Sequence, residues 1–238
     1  MKRSEFINGI KDGIPICLGY FSVSMAFGIS AVKGGIPAWA AVLTSLTNLT
    51  SAGQFAGVNI MLALGALIEL AITTLIINMR YFLMSLSVSQ KVDPSMKLWQ
   101  RSLVSFGITD EVFAVSMRRT IPLTATYMAG LIITPVLGWT LGTAAGAIAT
   151  SVMPQALSSA MGIALYGMFI AIVVPPARES RNVLVAVVVA IAASIVFSYA
   201  PLLKAVSSGW TIIIITVAVS ALCATLFPVK TAEGGDIE

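Results

Sequence analysis

Long apolar runs separated by short polar stretches dominate the chain and predict membrane-spanning helices. The first run extends from about Gly13 to Val32 and ends at the turn Lys33–Pro37. Later runs of similar character lie at about 123–149, 155–174, 183–200 and 210–227. This pattern predicts an all-α membrane protein, a polytopic helical bundle of about six to eight transmembrane segments.

The apolar stretch Ala38–Val88 is too long for one span. As a single helix it would reach roughly 75 Å, against a hydrocarbon layer of about 30 Å. The polar cluster Thr44–Gln54 predicts a first break, and within it Ser51-x-x-Gln54 has the form of a capping box, which predicts a helix beginning near Ser51. A second break is expected near Asn78–Tyr81.

Leu103–Met117 is a second irregular segment, bounded by basic residues at both ends. At about 15 residues it is short for a span and suits a re-entrant or broken helix. Thr109 has the character of an N-cap, with Asp110 and Glu111 in the first turn beside the positive end of the helix dipole. We therefore expect a helix to begin at Thr109.

Composition agrees with a membrane protein. The chain is 58% hydrophobic and 10% charged, with a mean hydropathy of +0.96, whereas soluble domains carry about 25% charged residues. We expect one transmembrane domain over residues 1–230 and a disordered cytoplasmic tail at 231–238. Because the first apolar run is interrupted by Pro15 and Gly19 and further spans follow, it is interpreted as a helix rather than a cleaved signal peptide.

The residue types also limit the chemistry. Histidine is absent, which excludes imidazole base catalysis and histidine-ligated metal sites. Cys17 and Cys223 both fall in apolar runs and give neither a disulfide framework nor metal spacing. We therefore expect no cofactor, no metal and no enzymatic activity, and an intramembrane hydrolase remains only a weak alternative.

The distribution of basic residues predicts the topology. With a cytoplasmic N-terminus, Lys33 and Lys204 fall outside and Arg80 falls within the membrane. All other bases then fall inside: Lys2, Arg3, Lys11, Lys91, Lys97, Arg101, Arg118, Arg119, Arg178, Arg181 and Lys230. This bias predicts a multi-pass plasma-membrane protein with both termini in the cytoplasm. The net charge of +4 is thus a topology signal and does not indicate a nucleic-acid partner.

Ionisable residues at membrane depth mark a functional site by default. If the helix start at Thr109 faces a cavity at depth, Asp110 or Glu111 could hold an ammonium group or a proton. The alternative is a well-capped helix start at the cytoplasmic surface.

Glu69 and Arg80 are the charges within Ala38–Val88. Glu69 has no loop signal within several residues, which predicts a carboxylate inside the bilayer that serves either proton coupling or a structural hydrogen bond. Arg80 lies about 16 Å further along a continuous helix, so its partner is expected to be Asp110 or Glu111 unless the helix breaks. Snorkelling to the interface is the alternative.

Small residues mark two further features. Ser51 and Gly53 could open a helix start whose backbone N–H groups bind an anion, with Gln54 beside them; the alternative is helix packing through Gly53-x-x-x-Gly57. A second small-residue pattern predicts a packing face without chemistry: Gly138, Gly142 and Gly146. Finally, Gln54-Phe55-Ala56 and Val112-Phe113-Ala114 both follow a polar helix start, which suggests an internal repeat.

Several motifs together resemble the AzlC family, the large subunit of bacterial branched-chain amino acid exporters. The most specific is Phe106-Gly107-Ile108-Thr109-Asp110-Glu111-Val112-Phe113-Ala114. The others are Asn78-Met79-Arg80-Tyr81, the opening Phe6-x-x-Gly9-x-x-Asp12-Gly13 with Phe27-Gly28, Ala52-Gly53-Gln54-Phe55 and Met168-Phe169-Ile170-Ala171. The Asn-x-Arg match adds Asn78 to the candidate site.

The resemblance implies export of valine, leucine and isoleucine, with methionine as a further candidate, together with a small membrane partner of the AzlD type. The ammonium group would be held by Asp110 or Glu111, and the carboxylate by the helix start at Ser51–Gly53 or by Arg80. Glu69 is a candidate for proton coupling. A channel or a scaffold subunit for another small hydrophobic solute is the alternative.

Overall fold

The computed structural model describes residues 2–150, 170, 173–201, 203 and 206–228. Within these ranges the chain is almost entirely helical, and residues 173–179 are helical as well. The named helices are α1 Lys2–Lys33, α2 Ala38–Thr47, α3 Ala52–Leu62, α4 Leu67–Ser89, α5 Leu98–Phe106, α6 Asp110–Arg118, α7 Ala125–Ala149, α8 Arg181–Tyr199 and α9 Ser208–Leu226. The predicted all-α fold is confirmed.

Five of the described helices are long and apolar enough to cross a membrane: α1, α4, α7, α8 and α9. The polytopic membrane fold predicted from the sequence is therefore confirmed. The span expected at 155–174 lies mostly outside the described residues, as does the tail at 231–238.

Between α1 and α4 the chain forms a helix hairpin, here called hairpin A, composed of α2, α3 and the non-helical tip Asn48–Ser51. The two ends of hairpin A lie together, because a Cβ placed on Gly34 would lie 2.3 Å from a methyl carbon of Leu62. The break predicted within Thr44–Gln54 is thus confirmed. Hairpin A enters and returns at one end of the bundle, so within Ala38–Val88 only α4 crosses the bundle.

The second break in this stretch differs from the prediction. The chain turns at Ala63–Ala66, where Leu64 has a φ of 54°, and the expected break near Asn78–Tyr81 is wrong because α4 continues through it unbroken. Arg80 finds a partner on another helix. A polar side chain paired in this way leaves the backbone hydrogen bonds of its own helix intact.

The second hairpin, hairpin B, comprises α5, α6 and the tip Gly107–Thr109. Its ends meet beyond the C-terminus of α4: the Lys91 ammonium donates to the Met117 carbonyl at 2.7 Å, and the Leu123 N–H donates to the Lys91 carbonyl at 2.9 Å. The predicted re-entrant segment is confirmed, although it is longer than expected. Since α4 spans roughly 34 Å, the two hairpins open at opposite ends of the bundle.

The two hairpins repeat one another along the chain. Helices α3 and α6 begin 58 residues apart, at Ala52 and Asp110, and α4 and α7 are offset by the same 58 residues. The triplets Gln54-Phe55-Ala56 and Val112-Phe113-Ala114 occupy the third to fifth positions of α3 and α6. Because the hairpins open at opposite ends, this arrangement has the form of an inverted repeat.

Helices α1 and α7 run parallel and pack at very short distance. A Cβ on Gly9 would lie 2.2 Å from the Tyr127 carbonyl oxygen, and one on Gly146 would lie 2.1 Å from the Met25 carbonyl oxygen. A side chain at either position would therefore separate the two backbones. The structure places the whole sequence-predicted packing face against α1: Gly138, Gly142 and Gly146.

Candidate functional site

The two hairpin tips meet at a cavity of about 580 Å³, within the size range of small-molecule sites. Helices α1, α4 and α7 and the helical residue Val173 complete its wall. The residues that line it are Pro15, Ile16, Gly19, Tyr20, Val23, Leu49, Ser51, Ala52, Ile77, Arg80, Tyr81, Asp110, Glu111, Trp139 and Val173. Four of the residues selected from the sequence thus share one cavity: Ser51, Arg80, Asp110 and Glu111.

Of the two partners expected for Arg80, the structure selects Asp110. The guanidinium lies 2.9 Å from the carboxylate, and the two side chains are 42% and 43% exposed. Arg80 also lies over the ring of Tyr81, 5.1 Å from its centroid. The pair joins α4 to hairpin B and remains accessible from the cavity.

Glu111 is held differently. It accepts a hydrogen bond from the Tyr20 hydroxyl on α1. Thr109 is the N-cap of α6, as expected, and its hydroxyl accepts from the Val112 N–H at 3.4 Å. Because Asp110 is already paired with Arg80, Glu111 is the carboxylate of the cavity that has no cationic partner among the described residues.

The tip of hairpin A presents the other helix start. Ser51 is the N-cap of α3 with a φ of 42°, but its side chain makes no capping hydrogen bond. The predicted capping box is therefore wrong, because Gln54 points away from it, into the protein. The first turn of α3 contains no acidic residue, so no acidic side chain neutralises the N–H groups at its start. One of them is already bonded, because the Gly53 N–H donates to the Thr50 carbonyl at 3.1 Å.

Gln54, Gly53 and Asn78 lie behind the cavity wall. Gln54 is 2% exposed, donates to the Ser45 hydroxyl at 2.6 Å and accepts from the Trp139 indole N–H at 3.0 Å. The Asn78 side-chain oxygen is buried without a hydrogen-bond partner among the described residues. A Cβ on Gly53 would lie 3.3 Å from that oxygen, so these residues set the packing between α3 and α4.

Glu69 lies outside the cavity. It is in the first turn of α4, directly after the turn at Ala63–Ala66, so the expectation that no loop lies near it is wrong. Its carboxylate is 4% exposed and accepts from the Ser207 hydroxyl and from the Gly209 N–H, the latter at 3.0 Å. Glu69 therefore caps the N-terminus of α9 and ties that helix to α4.

Sequence reasoning missed two aromatic residues of the site, Tyr20 and Trp139. Their rings pack edge to face, with centroids 5.3 Å apart. The available signal was a phenol and an indole inside apolar runs, since both groups need a hydrogen-bond partner when buried. The identity of those partners depends on how the helices pack and cannot be read from the local sequence.

Together, the long apolar helices, the two opposed hairpins and the charged cavity define a polytopic helical membrane protein with a charged site between its hairpin tips. A family model described as "AzlC protein" matches residues 15–153, which contain both hairpins. The chain belongs to the AzlC family.

Two curated proteins show the extent of the similarity. The "Inner membrane protein YgaZ" of Escherichia coli is 29% identical over 82% of this chain and 83% of its own length. An uncharacterized membrane protein of Archaeoglobus fulgidus is 30% identical over 73% of this chain and 77% of its own. No solved structure matches the chain.

Proposed function

We propose that the chain is the large subunit of a secondary exporter of branched-chain amino acids, namely valine, leucine and isoleucine, with methionine as a further candidate. The observation that carries this proposal is the cavity between the hairpin tips. It combines an uncompensated carboxylate, a helix start free of acidic residues and an apolar wall. Those are the three features that an amino acid with an aliphatic side chain requires.

Each part of such a substrate has a partner in the cavity. Glu111 would bind the ammonium group. The carboxylate would be bound by the N–H groups at the start of α3, near Ser51, or by Arg80. The aliphatic side chain would lie against the apolar residues of the wall, chiefly Ile16, Val23, Leu49 and Ile77.

The charges also suggest the driving force. With Arg80 paired to Asp110, the cavity is left with the negative charge of Glu111. Either a proton or a substrate ammonium would neutralise that charge, so the two would compete for one carboxylate. Alternate loading with substrate from inside and with a proton from outside would give export coupled to the proton gradient, without nucleotide hydrolysis or other enzymatic chemistry.

We further propose a small membrane partner of the AzlD type and a location in the plasma membrane with both termini in the cytoplasm. Helix α8 has no buried residue within the described part of the chain, which leaves apolar surface available to a partner or to lipid. The predominance of basic residues in the predicted cytoplasmic loops supports the orientation. The E. coli relative is named an inner membrane protein.

The test is counterflow of labelled valine in proteoliposomes that contain this chain and the small membrane protein co-expressed with it. We expect saturable counterflow that falls more than tenfold in Glu111→Gln, because the hydrogen bond from an ammonium group to a charged acceptor is stronger than one to a neutral acceptor. The matched control is Glu179→Gln, since Glu179 is exposed and outside the cavity. Flux without saturation or counterflow would indicate a channel, and unchanged flux in Glu111→Gln would indicate a scaffold.

A further inference from the structure

The two hairpins are joined through a pair of aromatic side chains. No side-chain hydrogen bond within the described residues connects α2 or α3 directly to α5 or α6. The connection runs instead through α1 and α7, where Tyr20 donates to Glu111 and its ring packs against Trp139 at 5.3 Å. The orientation of the Glu111 carboxylate therefore depends on a ring that is itself fixed by Trp139.

Trp139 is fixed in turn by the first turn of α3. It is 1% exposed, and its indole N–H donates to the Gln54 side-chain oxygen at 3.0 Å. Gln54 donates to Ser45, whose hydroxyl lies 2.7 Å from that of Thr143. Each of these groups is buried, and leaving one unpaired is costly, so the network favours one arrangement.

A second connection through Arg80 does not reach hairpin A by hydrogen bonding. Arg80 pairs with Asp110 of hairpin B but lies on α4. The α4 side chain that faces the start of α3 is Asn78, whose oxygen has no hydrogen-bond partner among the described residues. The Tyr20–Trp139 pair is thus the continuous link from Glu111 to the start of α3.

We propose that Tyr20 and Trp139 are positioning residues that hold the two hairpin tips at one separation, so that the cavity selects ligands carrying both an ammonium and a carboxylate group over simple amines. The proposal rests on the function proposed above. With its carboxylate at the start of α3 rather than at Arg80, an α-amino acid has to reach Glu111 and hairpin A at the same time. A simple amine needs Glu111 alone and is indifferent to the position of hairpin A.

The test compares valine with isobutylamine, which is valine without its carboxylate, as competitors of labelled valine for the complex in detergent. The variant is Trp139→Phe, which keeps an aromatic ring beside Tyr20 but removes the N–H that binds Gln54. We expect the dissociation constant of valine to rise roughly tenfold and that of isobutylamine to change less than twofold. Trp210→Phe, at an exposed position of α9, is the matched control and should change neither.

A second variant, Gln54→Met, breaks the same hydrogen bond from the other side and keeps the proposal testable if Trp139→Phe does not fold. We expect the same selective loss of valine binding. Gln54→Met also removes the hydrogen bond to Ser45, so the double variant should bind valine no more weakly than Gln54→Met alone. Equal weakening of both ligands, or no change in either, would overturn the proposal. A wild-type complex that binds no valine would instead refute the proposed function.

Discussion

Replacing Glu69 by glutamine distinguishes a structural carboxylate from a proton carrier. Glu69 accepts two hydrogen bonds at the start of α9, from the Ser207 hydroxyl and the Gly209 N–H. Glutamine keeps an acceptor of the same shape but removes the charge. Hydrogen bonds to a charged acceptor contribute about 1 kcal/mol more than neutral ones, and a charge at a helix N-terminus adds up to about 1 kcal/mol.

The expected loss of stability in Glu69→Gln is therefore about 2–3 kcal/mol, with valine transport and its dependence on the proton gradient retained. Thermal unfolding of the purified complex in detergent measures the first quantity. Counterflow with and without an imposed pH gradient measures the second. Glu179→Gln is again the control, since the same change at an exposed position should affect neither.

The opposite result would refute this reasoning. If Glu69→Gln unfolds at the wild-type temperature but transports without regard to the proton gradient, Glu69 carries the proton. In that case the hydrogen bonds to α9 would be incidental to stability. If both stability and valine transport were lost, the contact between Glu69 and α9 would be necessary for transport. That result would contradict the expectation that transport is retained.

Two further substitutions test the packing and the ion pair. Gly146→Ala should lower the stability of the protein by about 1–3 kcal/mol, because the new Cβ would lie 2.1 Å from the Met25 carbonyl oxygen. The control is Gly19→Ala, whose Cβ would meet no atom within 4 Å and should not lower stability. Equal shifts in the thermal unfolding of the two variants would contradict this reasoning. Arg80→Gln and Asp110→Asn should each reduce valine counterflow, and the double variant should fall no further than the worse single one. Additive losses would show that the two residues act separately.

The two hairpins could be predicted because their signals are local. A polar cluster inside a run too long for one span requires a break, and a short segment between two groups of basic residues cannot cross the membrane. The turn at Ala63–Ala66 carries one weak signal, Gly65, and a leucine with positive φ. Such a leucine is not anticipated by any propensity, so the position of that turn could not be read from the sequence.

The candidate site was predictable in its charges and not in its contacts. Asp110, Glu111 and Arg80 could be identified because ionisable residues are rare in apolar runs. The roles of Gln54 and Glu69 were not predictable, because their partners Trp139 and Ser207 lie 85 and 138 residues away along the chain. A local pattern such as Ser51-x-x-Gln54 is outweighed when a buried amide finds better partners in the tertiary structure.

The close packing of α1 against α7 restricts how the protein can move. Glycines on both helices place one backbone directly on the other, in a register that runs from Gly9 beside Tyr127 to Met25 beside Gly146. Sliding either helix by one residue, about 1.5 Å, would bring a side chain onto a position that has room only for hydrogen. The two helices therefore form a fixed axis. If the protein works as the proposed exporter, a change of access from one face of the membrane to the other would come from the hairpins turning about that axis.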